Sequence, residues 1–358
     1  MSVAYALINQ AALQHNISIV RRHAPDANIM AVIKANAYGH GMTRVARMLA
    51  AAVDSLAVAR TDEAVALRKQ GITAPITVLQ GFMGHDELMC YADYQLTAVV
   101  HQHEQIQLLL NASLPQKIVV WLKMDSGMSR LGFLPTEWAA VYALLQNSEQ
   151  VQQPFGVMTH LASADEVDCR QSTQQLQRFE ALTRQHIGAK SIANSAAVLA
   201  CPGAVTDWVR PGLMVYGVSP FPNQTAADLG MKAVMTLKSR LISVKTVPQG
   251  ETVGYGGLWR CRQDTRVGIV SIGYGDGYPR YARNGTPVLI NGQLVPLIGR
   301  VSMDMLAVDL SALPEAKIGD TAVLWGKGLP VEMIARYAGT IPYTVLCGIT
   351  PRVEMIEQ

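Results

Sequence analysis

The chain has 358 residues, of which 49% are hydrophobic and 16% charged, with a formal net charge of +3. This length carries two domains, or one large barrel and a smaller module, and the composition supports a sizeable core, which excludes a globally disordered chain. No Lys/Arg block is present, so neither nucleic acid nor an anionic membrane surface is an expected partner.

At the start, Met1 to Leu13 contain no basic stretch followed by a long apolar run, so no secretory signal is expected. Tyr5–Ile8 reads as a strand within an N-terminal segment, 1–10, that packs with the C-terminal part of the chain. From about residue 28 to 217, short apolar runs alternate with helical patterns. The runs are Ile29–Ile33, Ser55–Ala59, Ile76–Gln80, Leu96–Val100, Ile118–Leu122, Phe155–His160, Ser191–Ala193 and Trp208–Arg210. Between them lie Met42–Ala52, Thr61–Gln70, Glu104–Leu110, Glu137–Leu145 and Arg170–His186, with charges on one face. Eight such alternations imply parallel strands joined by right-handed crossovers. The fold class is α/β: a (β/α)8 TIM-like barrel over 11–230, followed by a mostly-β domain over 231–358.

Pro220 to Ala227 reads as a linker. Beyond residue 231, strand-like alternation dominates in Met235–Val247, Arg266–Ser271, Pro287–Ile290, Leu294–Ile298, Met303–Val308 and Ala322–Leu324, with one helix near Val331–Tyr337. Asn291-Gly292 between two apolar runs signals a type I′ hairpin. No apolar run approaches the ~18 residues that span a bilayer. The five cysteines are scattered and lack a CxxC pair, which points to a reduced, cytoplasmic compartment.

In barrels of this kind the chemistry sits at the C-terminal ends of the strands. Those ends carry Lys34, Arg60, Lys123-Met124-Asp125, Thr159-His160, Asn194-Ser195 and Arg210-Pro211-Gly212. Lys34 ends a buried run and enters a loop with two glycines. Burial disfavours an ammonium, and a lysine that loses its proton readily is a nucleophile for an aldehyde cofactor. A strand-end lysine can equally snorkel its head to the surface. His101-Gln102-His103 has metal-like spacing but no third ligand nearby, and reads as a solvated helix start; no metal is expected. Gly273-x-Gly-x-Gly follows a strand but opens no helical pattern, so it is not a dinucleotide fingerprint.

The string Lys34-Ala-Asn-Ala-Tyr-Gly-His-Gly41 resembles the signature around the pyridoxal 5′-phosphate (PLP) lysine of the alanine racemases. The resemblance extends along the whole chain through Asp125-Ser-Gly-Met-Ser-Arg-Leu-Gly132, Trp208-Val-Arg-Pro-Gly212, Val253-Gly-Tyr-Gly-Gly257 and Gly273-Tyr-Gly-Asp-Gly-Tyr-Pro-Arg280. It implies a two-base, PLP-dependent interconversion of L- and D-alanine. Lys34 and Tyr255 would serve opposite faces of the α-carbon, with His160 and Arg210 supporting the tyrosine. Arg210 would also face the cofactor's ring nitrogen, although from sequence alone a surface pair with Asp207 is an alternative. Tyr38, Ser195, Gly212, Leu213 and Tyr343 would hold the phosphate, and Ser195 also suits the N-cap of the helical stretch that follows. Arg130 and Met303 would bind the substrate carboxylate, and Tyr274 and Tyr343 would form a gate. Lys123, seven residues before Arg130, matches a lysine that many family members carry as a carbamate.

The resemblance further implies a head-to-tail homodimer with shared active sites, and a role in D-alanine supply for peptidoglycan or in alanine catabolism. A broader amino-acid racemase is one rival reading, against which the long pocket-mouth tyrosines weigh. A non-catalytic PLP-binding protein is another; such proteins resemble the barrel alone, whereas this chain carries Tyr255 in a further domain.

Overall fold

The computed structural model describes residues 3–166 and 169–358. Residues 1 and 2 of the expected N-terminal segment lie outside the described residues. Eight parallel strands close into a barrel: Asn28–Val32, Ser55–Val58, Ile76–Val78, Leu96–Val100, Val120–Lys123, Gly156–Met158, Lys190–Ser191 and Trp208–Val209. The last meets the first through the register Asn28↔Trp208 and Ile29↔Val209. Strands covered on both faces read as continuous apolar runs rather than alternations, and Ser55–Val58 and Ile76–Val78 are buried at every position.

Several strands are shorter than their apolar runs. Phe155–His160 contracts to Gly156–Met158, and the seventh and eighth strands are two residues each. Beyond those points Thr159, Ile192, Ala193 and Arg210 stay buried, and single backbone bonds, Thr159 N to Ser191 O and Arg210 N to Ala193 O, continue between neighbouring strands. Gly156 has a specific packing reason: a Cβ there would lie 2.3 Å from the Trp121 ring on the neighbouring strand. Helix Gln10–His23 runs along the barrel with Asn9 as its N-cap, the Asn9 side chain accepting from Ala12 N at 2.7 Å. Arg21, Arg22 and His23 in its last turn face the negative end of the helix dipole.

The C-terminal part is an eight-stranded sheet organised around Met235–Val247, which pairs antiparallel with Thr265–Val270, Thr321–Trp325 and Tyr5–Ile8. The hairpin at Asn291-Gly292 is present, with Ile290 opposite Gln293 and positive φ at both turn residues. Two expectations are corrected here. The run Met303–Val308 becomes a strand only at Leu306–Asp309, because Ser302 N donates to Met305 O and closes a turn around Met303. A second helix, Pro342–Cys347, follows Val331–Ala338. With six residues and only Val345 and Leu346 buried, it is too short to show a period.

The segment after Lys34 is also not an irregular loop. Ala35, Asn36, Ala37 and Tyr38 all have φ between 52 and 54°, one turn of left-handed helix. Each such L-residue costs about 1–2 kcal/mol, so the surroundings must impose the conformation. Glu63 Oε1 accepts from Ala35 N at 2.8 Å, Asn36 Oδ1 accepts from Met42 N at 2.8 Å, and His40 Nδ1 sits 3.0 Å from the carbonyls of Ala37 and Tyr38. Gly39, at φ +80°, leaves the room that Leu346 O needs: a Cβ would meet that oxygen at 2.1 Å.

Candidate active site

A cavity of about 990 Å3 opens at the C-terminal ends of the barrel strands. Lys34, Tyr38, Lys123, Arg130, His160, Ser195, Arg210, Gly212, Leu213 and Tyr343 all line it. Lys34, Lys123, His160, Ser195, Arg210 and Gly212 meet here because each ends or closely follows a parallel strand, and parallel strands bring their C-termini to one rim, whereas Tyr343 arrives from helix Pro342–Cys347 of the C-terminal domain.

Five cationic side chains line this space, Lys34, Lys123, Arg130, Arg210 and Arg336, against two carboxylates, Asp165 and Glu332. Burial, and then Arg130, lowers the Lys34 pKa; Glu63 and Cys347 oppose the shift. Lys123 falls to about 7, through burial first, then Arg210, Arg130 and Lys34. Both lysines are therefore easier to deprotonate than ordinary surface lysines, while Arg130 and Arg210 keep the pocket positive. Such a cavity suits a ligand with anionic groups.

Arg210 is fully buried, and burial lowers its pKa to about 10. It does not pair with Asp207, whose Oδ2 instead accepts from Lys190 N at 2.7 Å. Its guanidinium donates to Ser191 Oγ, Thr159 O and Ile192 O, and Nη2 lies 3.4 Å from His160 Nδ1. A guanidinium can only donate, so His160 Nδ1 must accept, which places the imidazole proton on Nε2. Burial, with Arg210 and the other cations, pushes the His160 pKa well below 6.5 and keeps the ring neutral.

Behind this pair lies a layer of polar groups in which the strand-end residues Thr159 and Asp125 are joined by Ser126 and Gln175, which the strand-end pattern did not single out. Ser126 Oγ and Thr159 Oγ1 are 2.8 Å apart, Thr159 Oγ1 donates to Met124 O, and Gln175 Nε2 donates to His160 O at 3.0 Å. Asp125 Oδ1 accepts from the backbone of Gly127, Met128 and Ser129, folding the turn that presents Arg130. Glu63, which anchors the Lys34 turn, was likewise missed; from sequence it reads as an ordinary first-turn acid of helix Thr61–Lys69.

Ser195 is not the N-cap of helix Ser195–Ala200. Asn194 holds that place, its Oδ1 accepting from Ala197 N at 3.0 Å. The Asn side chain reaches the free N–H of the first turn from one residue earlier. Ser195 Oγ instead accepts from Gly212 N at 2.9 Å and Met214 N at 3.3 Å, leaving its own hydrogen to donate. Beside it, a Cβ on Gly212 would stand 2.5 Å from the Tyr38 hydroxyl, so glycine keeps this corner open. The Tyr38 and Tyr343 rings lie 5.7 Å apart, tilted by 41°; burial raises both phenols, Tyr343 to about 12, so both hydroxyls are donors at neutral pH.

Tyr255, Tyr274 and Met303 do not line this cavity. Tyr255 is 68% exposed, in a short turn between Thr252–Val253 and Trp259–Arg260. Tyr274 (37% exposed) and Met303 (52% exposed) share one surface of the C-terminal domain, where Tyr274 N donates to Ser302 O and Gly275 N to Met303 O. Leu258 and Met305 add further exposed apolar surface. Within one chain these three residues lie outside the cavity that Lys34 lines.

The family model for the alanine racemase N-terminal domain matches residues 8–220, and that for the alanine racemase C-terminal domain matches residues 234–357. The alanine racemase of Aeromonas hydrophila is 51% identical over 355 residues, 99% of each chain. That of Coxiella burnetii is 48% identical over 362 residues, 100% of this chain and 99% of the relative. The crystal structure of a biosynthetic alanine racemase from Pseudomonas aeruginosa superposes with a TM-score of 0.97 at 44% identity, covering 100% of both chains. The alanine racemase structure from Acinetobacter baumannii gives 0.94 at 36% identity, again over 100% of both.

Proposed function

Because this chain belongs to the alanine racemase family, and alanine racemisation is its function, we propose that PLP and Lys34 carry out that reaction in the barrel-mouth cavity. The observation that carries this reading is the position of Lys34: at the end of a barrel strand, partly buried and beside Arg130, where its ammonium is destabilised. The remaining lining suits the same group. Cationic and hydroxyl donors surround the space, and the open corner at Gly212 is framed by Ser195 and Tyr38. When bound, PLP supplies the electron sink that stabilises negative charge at the substrate α-carbon.

Lys34 holds or returns a proton at one face of the α-carbon, for which a lowered amine pKa is required. Tyr255 does the same at the other face through its phenolic oxygen. A phenol of ordinary pKa ~10 needs a cationic neighbour for this, a role assigned to Arg210 through His160. Ser195, Tyr38, Tyr343 and the backbone at Gly212 and Leu213 bind the phosphate. Arg210 would face the ring nitrogen; as a guanidinium it would stay protonated and deliver no proton there. Arg130 and the Met303 backbone bind the substrate carboxylate. Tyr274 and Tyr343 narrow the mouth around a methyl side chain, a selection worth about 10–200-fold per methylene.

Since Tyr255, Tyr274 and Met303 lie outside the cavity of their own chain, they serve the Lys34 of a second copy, in a head-to-tail two-fold dimer. We divide the chain into an N-terminal strand segment 1–10, the barrel 11–230 and the C-terminal domain 231–358. No helix among the described residues is long and apolar enough to cross a membrane, and we assign the enzyme to the cytoplasm. There it supplies D-alanine for peptidoglycan or serves alanine catabolism. Borohydride reduction of the PLP-loaded enzyme tests the central assignment: the label is expected on Lys34, and a label on Lys123 overturns it.

A further inference from the structure

Helix Arg170–Thr183 contributes no residue to the lining of the barrel-mouth cavity. It nevertheless carries three polar side chains on one face, Gln171, Gln175 and Arg178, spaced by four and then three residues. All three reach the turn that presents Arg130. Gln171 Nε2 donates to Gly127 O at 3.2 Å, Gln175 Nε2 to Ser126 Oγ at 3.3 Å, and Arg178 Nη1 to Ser126 O at 3.2 Å. The approach is close: a Cβ on Gly127 would stand 3.2 Å from Arg178 Nη1 and 3.3 Å from Gln175 Cγ.

The two glutamines also hold the chain around His160. Gln175 Nε2 donates to His160 O at 3.0 Å, Gln175 Oε1 accepts from Ala162 N at 2.9 Å, and Gln171 Oε1 accepts from Ser163 Oγ at 3.0 Å. Gln175 is only 1% exposed, and its amide has one possible orientation. Ala162 N–H can only donate and His160 O can only accept, so the amide oxygen faces the first and the nitrogen the second. Both ends of the amide are committed, and they join the loops that follow the neighbouring strands Val120–Lys123 and Gly156–Met158. A buried polar group paired at both ends holds a single geometry. Asp125 closes the Arg130 turn on itself from within, so the helix decides where that turn sits.

On the assignment of Arg130 to the substrate carboxylate, we propose that Gln175 is a positioning residue for racemisation. With Gln171 and Arg178 it fixes the Arg130 turn against the His160 loop, and the grip on the carboxylate depends on it. Gln175 does not line the cavity and acts through Arg130, which follows the clamped turn.

Propionate, which is alanine without its amino group, probes the carboxylate site alone. Its dissociation constant is read by proton NMR titration of the PLP-loaded enzyme, for Gln175→Met in the wild-type and in the Arg130→Met background. Methionine has about the length of glutamine and makes none of these hydrogen bonds. The constant should rise about 3–10-fold in the wild-type background, the value of one ordinary hydrogen bond. It should rise no further in Arg130→Met, because a residue that acts through Arg130 is non-additive with it. An equal rise in both backgrounds marks a general loosening of the fold and overturns the proposal, as does no rise in the wild-type background. Arg130→Met alone reports on the underlying assignment: if it leaves the constant unchanged, Arg130 does not bind the carboxylate, and the proposal falls for that separate reason. Should Gln175→Met fail to fold, Arg178→Ala, at an exposed position, decides. A rise of about 2–3-fold that vanishes in Arg130→Met is then expected, and an unchanged constant refutes the clamp.

Discussion

The Arg210 guanidinium lies 3.4 Å from Nδ1 of His160, and among the described residues neither has a carboxylate as a hydrogen-bond partner. A buried cation is ordinarily matched by an anion. Here it is matched by a neutral imidazole, a serine hydroxyl and two backbone carbonyls, so the positive charge remains directed at the cavity. That charge accounts for much of the behaviour of the neighbouring groups, and it gives the first two predictions.

The neutral state of His160 has a stability signature. Its folded pKa is depressed below 6.5, and that of His40 falls to about 4 through burial. As pH falls below 6.5, the unfolded chain binds protons that the native chain refuses, so stability is lost on acidification. Each buried neutral histidine should cost about 1–2 kcal/mol between pH 6.5 and 5. Urea unfolding at the two pH values, for wild type and His160→Gln, measures the His160 share. An equal loss in both proteins shows that His160 titrates freely.

Lys123 gives a trend of the same sign at higher pH. With a folded pKa near 7 against 10.5 for the free side chain, the unfolded chain binds the extra proton across that interval. Stability from this residue therefore rises with pH from about 7 to 10.5, and Lys123→Met should flatten the rise. An amine that is neutral near pH 7 can also take up CO2. Carbon-13 CO2 NMR on the native enzyme should show a carbamate signal that Lys123→Met lacks. Full activity in bicarbonate-free buffer, with no such signal, disproves the modification.

Tyr255→Phe should lose about 10²–10⁴ in racemisation rate, the usual contribution of a general base, while PLP binding survives. In deuterated water, the remaining α-proton exchange should favour one enantiomer of alanine, because only one face keeps its base. Racemisation at a near-normal rate excludes Tyr255 from the chemistry.

Mixing inactive subunits tests the shared site. Lys34→Ala and Tyr255→Phe homodimers are each expected to be severely impaired. A heterodimer formed by unfolding and reassembly contains one site with both residues intact and one site with both lesions. It should recover about half of wild-type activity, as two-fold geometry requires. If Tyr255 serves its own subunit, no heterodimer has an intact site and mixing restores nothing.

Much of the architecture was legible in the sequence because a parallel barrel writes itself locally. Doubly buried strands appear as continuous apolar runs, and each run ends where chemistry can be placed, so Lys34, Lys123, His160, Ser195 and Arg210 stood out at strand ends. What the sequence could not give was any property that depends on who the neighbours are. Asn194 and Ser195 are equally good caps as residue types; only the approach of Gly212 and Met214 commits the Ser195 hydroxyl elsewhere. The left-handed turn at Ala35–Tyr38 runs against local preference and exists because Glu63, Asn36 and His40 hold it. Arg210 beside Asp207 in sequence suggested a surface pair; burial turned the side chain inward. Lastly, Lys34 and Tyr255 occur in equally distinctive strings, yet within one chain only Lys34 lines the cavity while Tyr255 is exposed outside it. Residue chemistry and strand periodicity are local and survive in the sequence alone, whereas pKa, tautomer and the partner of each polar atom are set by through-space contacts that only the folded chain creates.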